Sequence, residues 1–276
     1  MAATNNNINQ QVYNAREDDS LLNDVAQVIC ILVQRALVIA AYDSSGTLLT
    51  SHYTDYKNNL PVWGLDFFEH QFINEPLLRD QSKVKAVFLG GDKQLIVPDE
   101  LHDKTLSVDW LKKIHFVDAT DVVNTWPLTD DKAQYILASP VSIVELVKIY
   151  FKRAKVQPLA IYQFADAPVD DAQINCCITN EHVYATFYNN KQLLWHQCFD
   201  YTTAEDIAYH LKLRCKESGM DAWNVMLHCT ALSATAFDAV NGLSQYFSRF
   251  TIGTASVTDY RWAPAVSLLQ QLYTCA

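Results

Sequence analysis

One feature limits what this chain can fold into more than any other: two of its stretches are copies of one another. The first is AQVICILVQRALVIAAYDSSGTLLTSHYTDY, residues 26–56, and the second is AQINCCITNEHVYATFYNNKQLLWHQCFDY, residues 172–201. Both carry a Cys in the fifth place (Cys30, Cys176), a Tyr before the second turn (Tyr42, Tyr188) and a closing Asp-Tyr (Asp55-Tyr56, Asp200-Tyr201). One residue is dropped in the second copy, inside the second turn, where a change of length costs least. The period is a whole domain, so it points to tandem duplication rather than to a solenoid.

Each copy reads as three strands joined by tight turns, an antiparallel meander. In the first, Val25–Val33 runs to Gln34-Arg35, Ala36–Asp43 returns, and Ser44-Ser45-Gly46 leads to Thr47–Thr54. A helix is expected over Trp63–Leu78, a buried strand over Val84–Leu89, then a Gly90-Gly91-Asp92 hairpin turn into Gln94–Val97. Val108–Lys113 reads as a short helix, and Ile114–Val117, Val122–Trp126 and Gln134–Ala138 as strands. Ser139-Pro140 reads as the cap and first position of a helix that ends near Lys155. After a surface loop at Asp166–Asp171, the second meander leads to a helix capped by Thr202 with Glu205 and stopped by Gly219. Strand Trp223–His228, a helix capped by Ser233, strand Phe250–Ile252 and a closing helix over Ala265–Thr274 complete the chain.

The second half thus runs β-β-β-α-β-α-β, the order of a ribonuclease-H-like domain. The first half begins the same way and inserts extra strands. The expected architecture is α/β: two tandem ribonuclease-H-like domains with mixed sheets flanked by helices, as in the actin-like ATPase, sugar kinase and heat-shock chaperone superfamily. The expected division is a loose tail over 1–20, rich in Asn and Gln, a first domain over 21–155 and a second over 156–276. Topology of this kind licenses fold and not activity.

Composition removes several functions. The chain of 276 residues carries 31 acidic and 21 basic side chains, a formal net charge of −10. That balance opposes nucleic acid and an anionic membrane surface as partners. The short basic cluster of Lys148, Lys152, Arg153 and Lys155 has the spacing of a solvated helix face. Seven cysteines, none in a C-x-x-C pair, read as reduced thiols of a cytoplasmic protein. Neither a secretory signal nor a transmembrane stretch is visible.

The chain also resembles a family of uncharacterised Bacteroidetes proteins, a domain of unknown function with an actin-like ATPase fold. The resemblance covers most of the chain after the tail. It is carried by Phe199-x-Tyr201-x-x-x-Glu205-Asp206-x-x-Tyr209 and by Leu95-Ile96-Val97-Pro98. Where the family often carries Asn two places before that Phe, this chain has Gln197. The resemblance implies the fold and a bacterial cytoplasmic setting, and it supplies no catalytic residue.

Proteins of the actin-like superfamily hold nucleotide phosphates with two hairpins, one per half, whose tips need glycine so that backbone N–H groups can approach. An Asp at the tip normally organises metal and water. Here the tips are Val33-Gln34-Arg35-Ala36 and Thr179-Asn180-Glu181-His182, without glycine or Asp, and Glu181 brings a carboxylate to a phosphate's place. Adenosine recognition in this fold uses a Gly-Gly after a strand of the second half, where this chain has His228-Cys229-Thr230-Ala231. Only seven glycines occur in the chain, against about nineteen from average usage. The expectation is loss of ATP hydrolysis, no catalytic residue, no cofactor and no metal.

A rearranged nucleotide site, if one exists, would use Asp43, Gly46, Gly90 and Gly91. A zinc site would draw on His196 and Cys198 with His228 or Cys229 from a neighbouring strand, although half-buried sheet residues account for the same pattern. A ribonuclease-H nuclease is disfavoured, because the first strands lack carboxylates. Trp63, Phe67, Phe68 and Phe72 form either a partner groove or, more simply, core. The favoured reading is a non-catalytic protein acting through protein contacts with an unidentified partner or as a homodimer. The alternatives are a degenerate ATP-binding protein and a binder of a small molecule between the halves.

Overall fold

A computed structural model describes residues 8–16, 19–56, 61–128, 132–165 and 171–276. The first half contains β1 (Ile8–Asn14), β2 (Gln27–Val33), β3 (Ala36–Tyr42), β4 (Leu48–Tyr56), α1 (Leu65–Asn74) and β5 (Val84–Leu89). An insertion follows: β6 (Gln94–Pro98), α2 (Ser107–Lys112), β7 (Asp121–Leu128) and β8 (Ala133–Pro140). Then come α3 (Val141–Tyr150) and β9 (Lys155–Pro158). The second half contains β10 (Gln173–Ile178), β11 (His182–Asn189), β12 (Gln192–Asp200), α4 (Ala204–Glu217), β13 (Met226–Ala231), α5 (Phe237–Gly242), β14 (Arg249–Ile252) and α6 (Ala263–Cys275).

The described strands form three sheets. The second half makes β12-β11-β10-β13-β14, and the first makes the same order, β4-β3-β2-β5-β9, with β1 added at the β4 edge. In both, the meander is antiparallel and the later strands run parallel to the first. The insertion forms its own antiparallel sheet, β6-β8-β7. Mixed sheets with helices on their faces are the ribonuclease-H-like arrangement expected from the sequence.

Period-two alternation decides what each side chain of β2 faces. Val28, Cys30 and Leu32 pack with Phe68 and Phe72 of α1 and Ile143 and Val147 of α3. Ile29, Ile31 and Val33 face the other way, onto Leu268, Leu269 and Leu272 of α6. Cys177 and Tyr184 of the second sheet join that same cluster. The last helix of the chain is therefore wedged between the two halves, and the Tyr42 hydroxyl donates to the Leu269 carbonyl at 2.8 Å. The aromatics Phe67, Phe68 and Phe72 are core, and Trp63 packs beside them.

Several local expectations are corrected. Residues 8–14 of the expected loose tail form β1, paired along all of Ile8–Asn14 with β4. The first sheet extends past 155, because β9 pairs with β5 through Pro158. Gly90-Gly91-Asp92 is not a hairpin turn: β5 and β6 belong to different sheets, and the glycines carry the chain between them. Ile114–Val117 is not a strand. Trp223 lies in a 3-10 turn, and the strand there starts at Met226. Ser139 stays paired in β8, so α3 starts without a side-chain cap. Ser233 likewise caps no helix; its hydroxyl donates to Asn180 Oδ1 at 3.1 Å. The capping box sits one residue later than expected. Thr203 Oγ1 accepts from Asp206 N at 3.3 Å and Asp206 Oδ2 from Thr203 N at 3.0 Å. Glu205 is drawn off by the Tyr246 hydroxyl at 2.8 Å. The Asp166–Asp171 loop lies, up to residue 170, outside the described residues.

Candidate functional site

The two hairpin tips that would cradle phosphates face one another and are bonded together. Arg35 Nη1 lies 2.7 Å from Glu181 Oε2, with the two side chains only 19% and 31% exposed. Asn180 Nδ2 donates to Asp55 Oδ2 at 2.6 Å, and Gln34 Nε2 to Asp92 Oδ1 at 2.8 Å. Asn180 Oδ1 accepts from Ser233 and Thr235 at 3.1 and 3.0 Å, which fixes the amide's orientation from its own half. Arg35 and Glu181 occupy the same place in the two repeat copies, as do Gln34 and Asn180.

Local folding explains why these side chains point inward. The β2–β3 turn holds Arg35 at φ 61, a left-handed conformation that glycine adopts more easily. In the other tip, Thr179 Oγ1 accepts from Glu181 N at 3.3 Å and His182 N at 2.9 Å, closing the turn. The following residue pairs anchor both tips alike: Tyr56 N donates to Arg35 O at 3.1 Å and Tyr201 N to Glu181 O at 3.2 Å. Burial pushes the Asp55 carboxyl above its ordinary range, and Glu181 adds to that; donors from Tyr53, Asn9 and Asn180 partly offset it.

The space left between the tips is about 210 Å³, lined chiefly by Gln34, Arg35, Tyr53, Asp55, Asn180 and Glu181. Ligand pockets ordinarily span about 300–1,000 Å³. Two of the lining side chains, Asp55 of β4 and Glu181 of the second tip, bear carboxylates, which repel a triphosphate.

The residues of the alternative nucleotide set are not brought together. Asp43 and Gly46 lie at the β3–β4 turn, and the seven residues of β3 put them roughly 20 Å from the tip. Asp43 Oδ1 accepts from Ser45 N, Ser45 Oγ and Thr47 N at 2.8, 2.7 and 2.9 Å. The Ser45 side chain, then the Thr47 backbone, hold its carboxyl below the usual range. Gly90 and Gly91 lie at the tip end of β5. A Cβ at Gly90 would come within 2.7 Å of Tyr184 Oη and 2.8 Å of Val33 Cγ1, so this glycine serves the close approach of the two halves.

The zinc set is also dispersed. β12, with His196 and Cys198, is separated from β13, with His228 and Cys229, by both β11 and β10, about 14 Å of sheet. No group of three His, Cys, Asp or Glu able to hold a metal occurs among the described residues. His196 instead sits in a buried polar network. Its Nδ1 is 2.7 Å from Thr186 Oγ1 and its Nε2 is 3.2 Å from Gln94 Oε1 of the insertion. Burial lowers its pKa to about 3. Gln163, between the halves, accepts from Thr186 at 2.9 Å and donates to the Tyr184 carbonyl at 3.0 Å. No helix among the described residues is long and apolar enough to cross a membrane.

The tip-to-tip pairing was not anticipated from the sequence. The available signal was the opposite charge of Arg35 and Glu181 at one aligned position.

Fold and tips together define a class: an actin-like ATPase fold whose phosphate hairpins are joined by side chains. Residues 27–250 match the family described as protein of unknown function (DUF3822), and the chain belongs to that family. Among solved structures, it is similar to a Bacteroides thetaiotaomicron protein with actin-like ATPase fold and unknown function. The identity is 13% and the TM-score 0.72, over 95% of this chain and 100% of that one. It is also similar to a chain of the PilM-PilN type IV pilus biogenesis complex, at 11% identity and TM-score 0.61, covering 91% and 98%. No curated protein matches.

Proposed function

We propose that this chain is a non-catalytic member of the actin-like fold that works through protein contacts, its nucleotide cleft having been converted into a fixed joint between the halves. The observation that carries this is the Arg35–Glu181 pair at 2.7 Å, reinforced by Asn180–Asp55 at 2.6 Å. These four side chains occupy the ground on which a triphosphate needs bare backbone N–H groups. A phosphate entering there would break a half-buried ion pair and meet Glu181 and Asp55 at close range, a repulsion that low local dielectric strengthens. The network through Gln163, Thr186, His196 and Gln94 ties the insertion to the second sheet and supports the same rigidity. One solved chain of this fold belongs to a pilus biogenesis complex, so the fold does serve in protein assemblies. A cytoplasmic setting accords with seven cysteines that form no disulfide with one another.

Thermal denaturation with ATP, GTP and ADP, each with Mg²⁺, tests the proposal. The expected result is an unchanged midpoint at millimolar nucleotide. A ligand at a hundred times its dissociation constant stabilises by about 2.7 kcal/mol, so a rise of several degrees would count against it.

A further inference from the structure

The strand β1 has no counterpart in the second half and adds an edge to the first sheet beyond the shared order. Its inner face is tied to the rest of the molecule. Tyr13 is buried with its ring 5.8 Å from that of Trp262, and Gln11 Nε2 reaches Thr235 Oγ1 of the second half at 3.2 Å. Its outer face is open: Ile8, Gln10, Val12 and Asn14 are all exposed. Its far edge presents backbone N–H and C=O groups that no strand among the described residues pairs.

Natural sheet edges are protected by charge, proline, brevity or cover, because an unprotected edge pairs with another strand. The remaining edge strands here follow that rule. β9 carries Lys155 and Pro158, β14 carries Arg249, β6 ends in Pro98, and β7 contains Asp121 and Pro127. β12 ends in Asp200 and lies against β6, to which His196 is bonded through Gln94. Among the described edge strands, β1, INQQVYN, alone has neither charge nor proline, and no charged side chain precedes Arg16 in the sequence. In a chain of net charge −10, two copies repel over most of their surfaces. A neutral edge is where that repulsion is least.

We propose that the outer edge of β1 is the pairing surface for β1 of a second copy of this chain. The two strands run antiparallel about a twofold axis near Gln11, joining the first sheets of two molecules into one. An antiparallel edge is complementary to itself, which suits an isologous dimer. On the outer face Gln10 of one copy then lies opposite Val12 of the other and Ile8 opposite Asn14, so no charged side chains meet across the seam. This gives a surface to the protein contacts proposed above. Its failure would leave the nucleotide argument untouched, since no residue of the tips takes part.

Sedimentation equilibrium over a concentration series, on the full chain, tests it. Wild type is expected at twice the chain mass, and the Q10K/V12K variant at the monomer mass with the wild-type circular dichroism spectrum and a melting temperature that no longer depends on concentration. Mixing Q10K/V12K with Q10E/V12E is expected to restore the dimer, because Lys then faces Glu. Hydrogen exchange supplies a readout free of substitution: amides of Ile8–Asn14 should gain protection as wild-type concentration rises. A wild type that stays monomeric, exchange at β1 that ignores concentration, or a Q10K/V12K variant that dimerises as before would each overturn the proposal. A heterologous strand captured by a monomeric wild type would overturn it as well.

Discussion

The first turns of the two repeat copies and their second turns have opposite fates. The first turns, at Gln34-Arg35 and Asn180-Glu181, meet, and their side chains bond across the joint. The second turns, at Asp43–Thr47 and Asn190-Lys191, lie at the other ends of β3 and β11 and solve their geometry separately. One uses an Asp43-capped loop with Gly46 at φ 84; the other uses two residues with positive φ, Asn190 at 50 and Lys191 at 63. The difference accounts for where the repeat changed length. A turn that closes only itself can lose a residue cheaply, whereas a turn that must reach a partner keeps its reach. The proposed conversion of the cleft would remove a phosphate site without removing the fold, because the two hairpins keep their backbone path while paired side chains hold their tips together.

That contrast can be broken experimentally, beginning with the joint. Gly90→Val places a side chain against Tyr184 and Val33 at 2.7 and 2.8 Å. Overpacking of this kind costs about 3 kcal/mol, and urea denaturation should show it. Gly219→Ala, in contrast, meets nothing within 4 Å and should cost only about 1 kcal/mol, for its positive φ. Equal losses at the two positions would mean that the halves are not closely fitted at β5.

Acid should act on the joint next. His196 protonates near 6.5 when unfolded and at about 3 in the fold. Between those values the unfolded chain holds the proton and the fold does not. Stability is therefore fully present above pH 6.5 and falls as pH drops toward 3, by at most about 1.4 kcal/mol per pH unit from this group. The slope of melting temperature against pH should flatten in His196→Gln.

A double-mutant cycle on Arg35→Ala and Glu181→Ala measures the pairing itself. A coupling energy of about 1 kcal/mol is expected for a half-buried, well-aligned pair, and none for Arg35→Ala with Asp43→Ala. The smallest effect belongs to the second turn. One glycine inserted after Asn190 should cost under about 1 kcal/mol, while the same insertion after Asn180 should erase the Arg35–Glu181 coupling.

Much of the fold was legible because its signals are local and repeated. The apolar runs of β2, β3 and β5 and the Gly219 stop each fix an element without help from afar. The errors have the opposite character. Gln10 and Val12 look like tail composition, and only the β4 edge makes a strand of them. Gly90-Gly91 has the composition of a hairpin, yet the next strand finds its partner in β8, which lies forty residues further on. Thr202 with Glu205 and Thr203 with Asp206 both fit the capping pattern in sequence, and Tyr246, by engaging Glu205, decides between them. At the candidate site, the absence of glycine from the tips is legible in the sequence. The pairing of the tips depends on a contact between residues 146 apart in sequence, which no local pattern encodes.

The most direct measurement is a crystal structure of the chain grown with ATP and Mg²⁺ in excess. With the cleft converted to a joint, Arg35 and Glu181 should remain at hydrogen-bonding distance with no nucleotide between the halves. A triphosphate seated against Gln34 and Asn180, with that ion pair opened to admit it, would contradict the account at its centre.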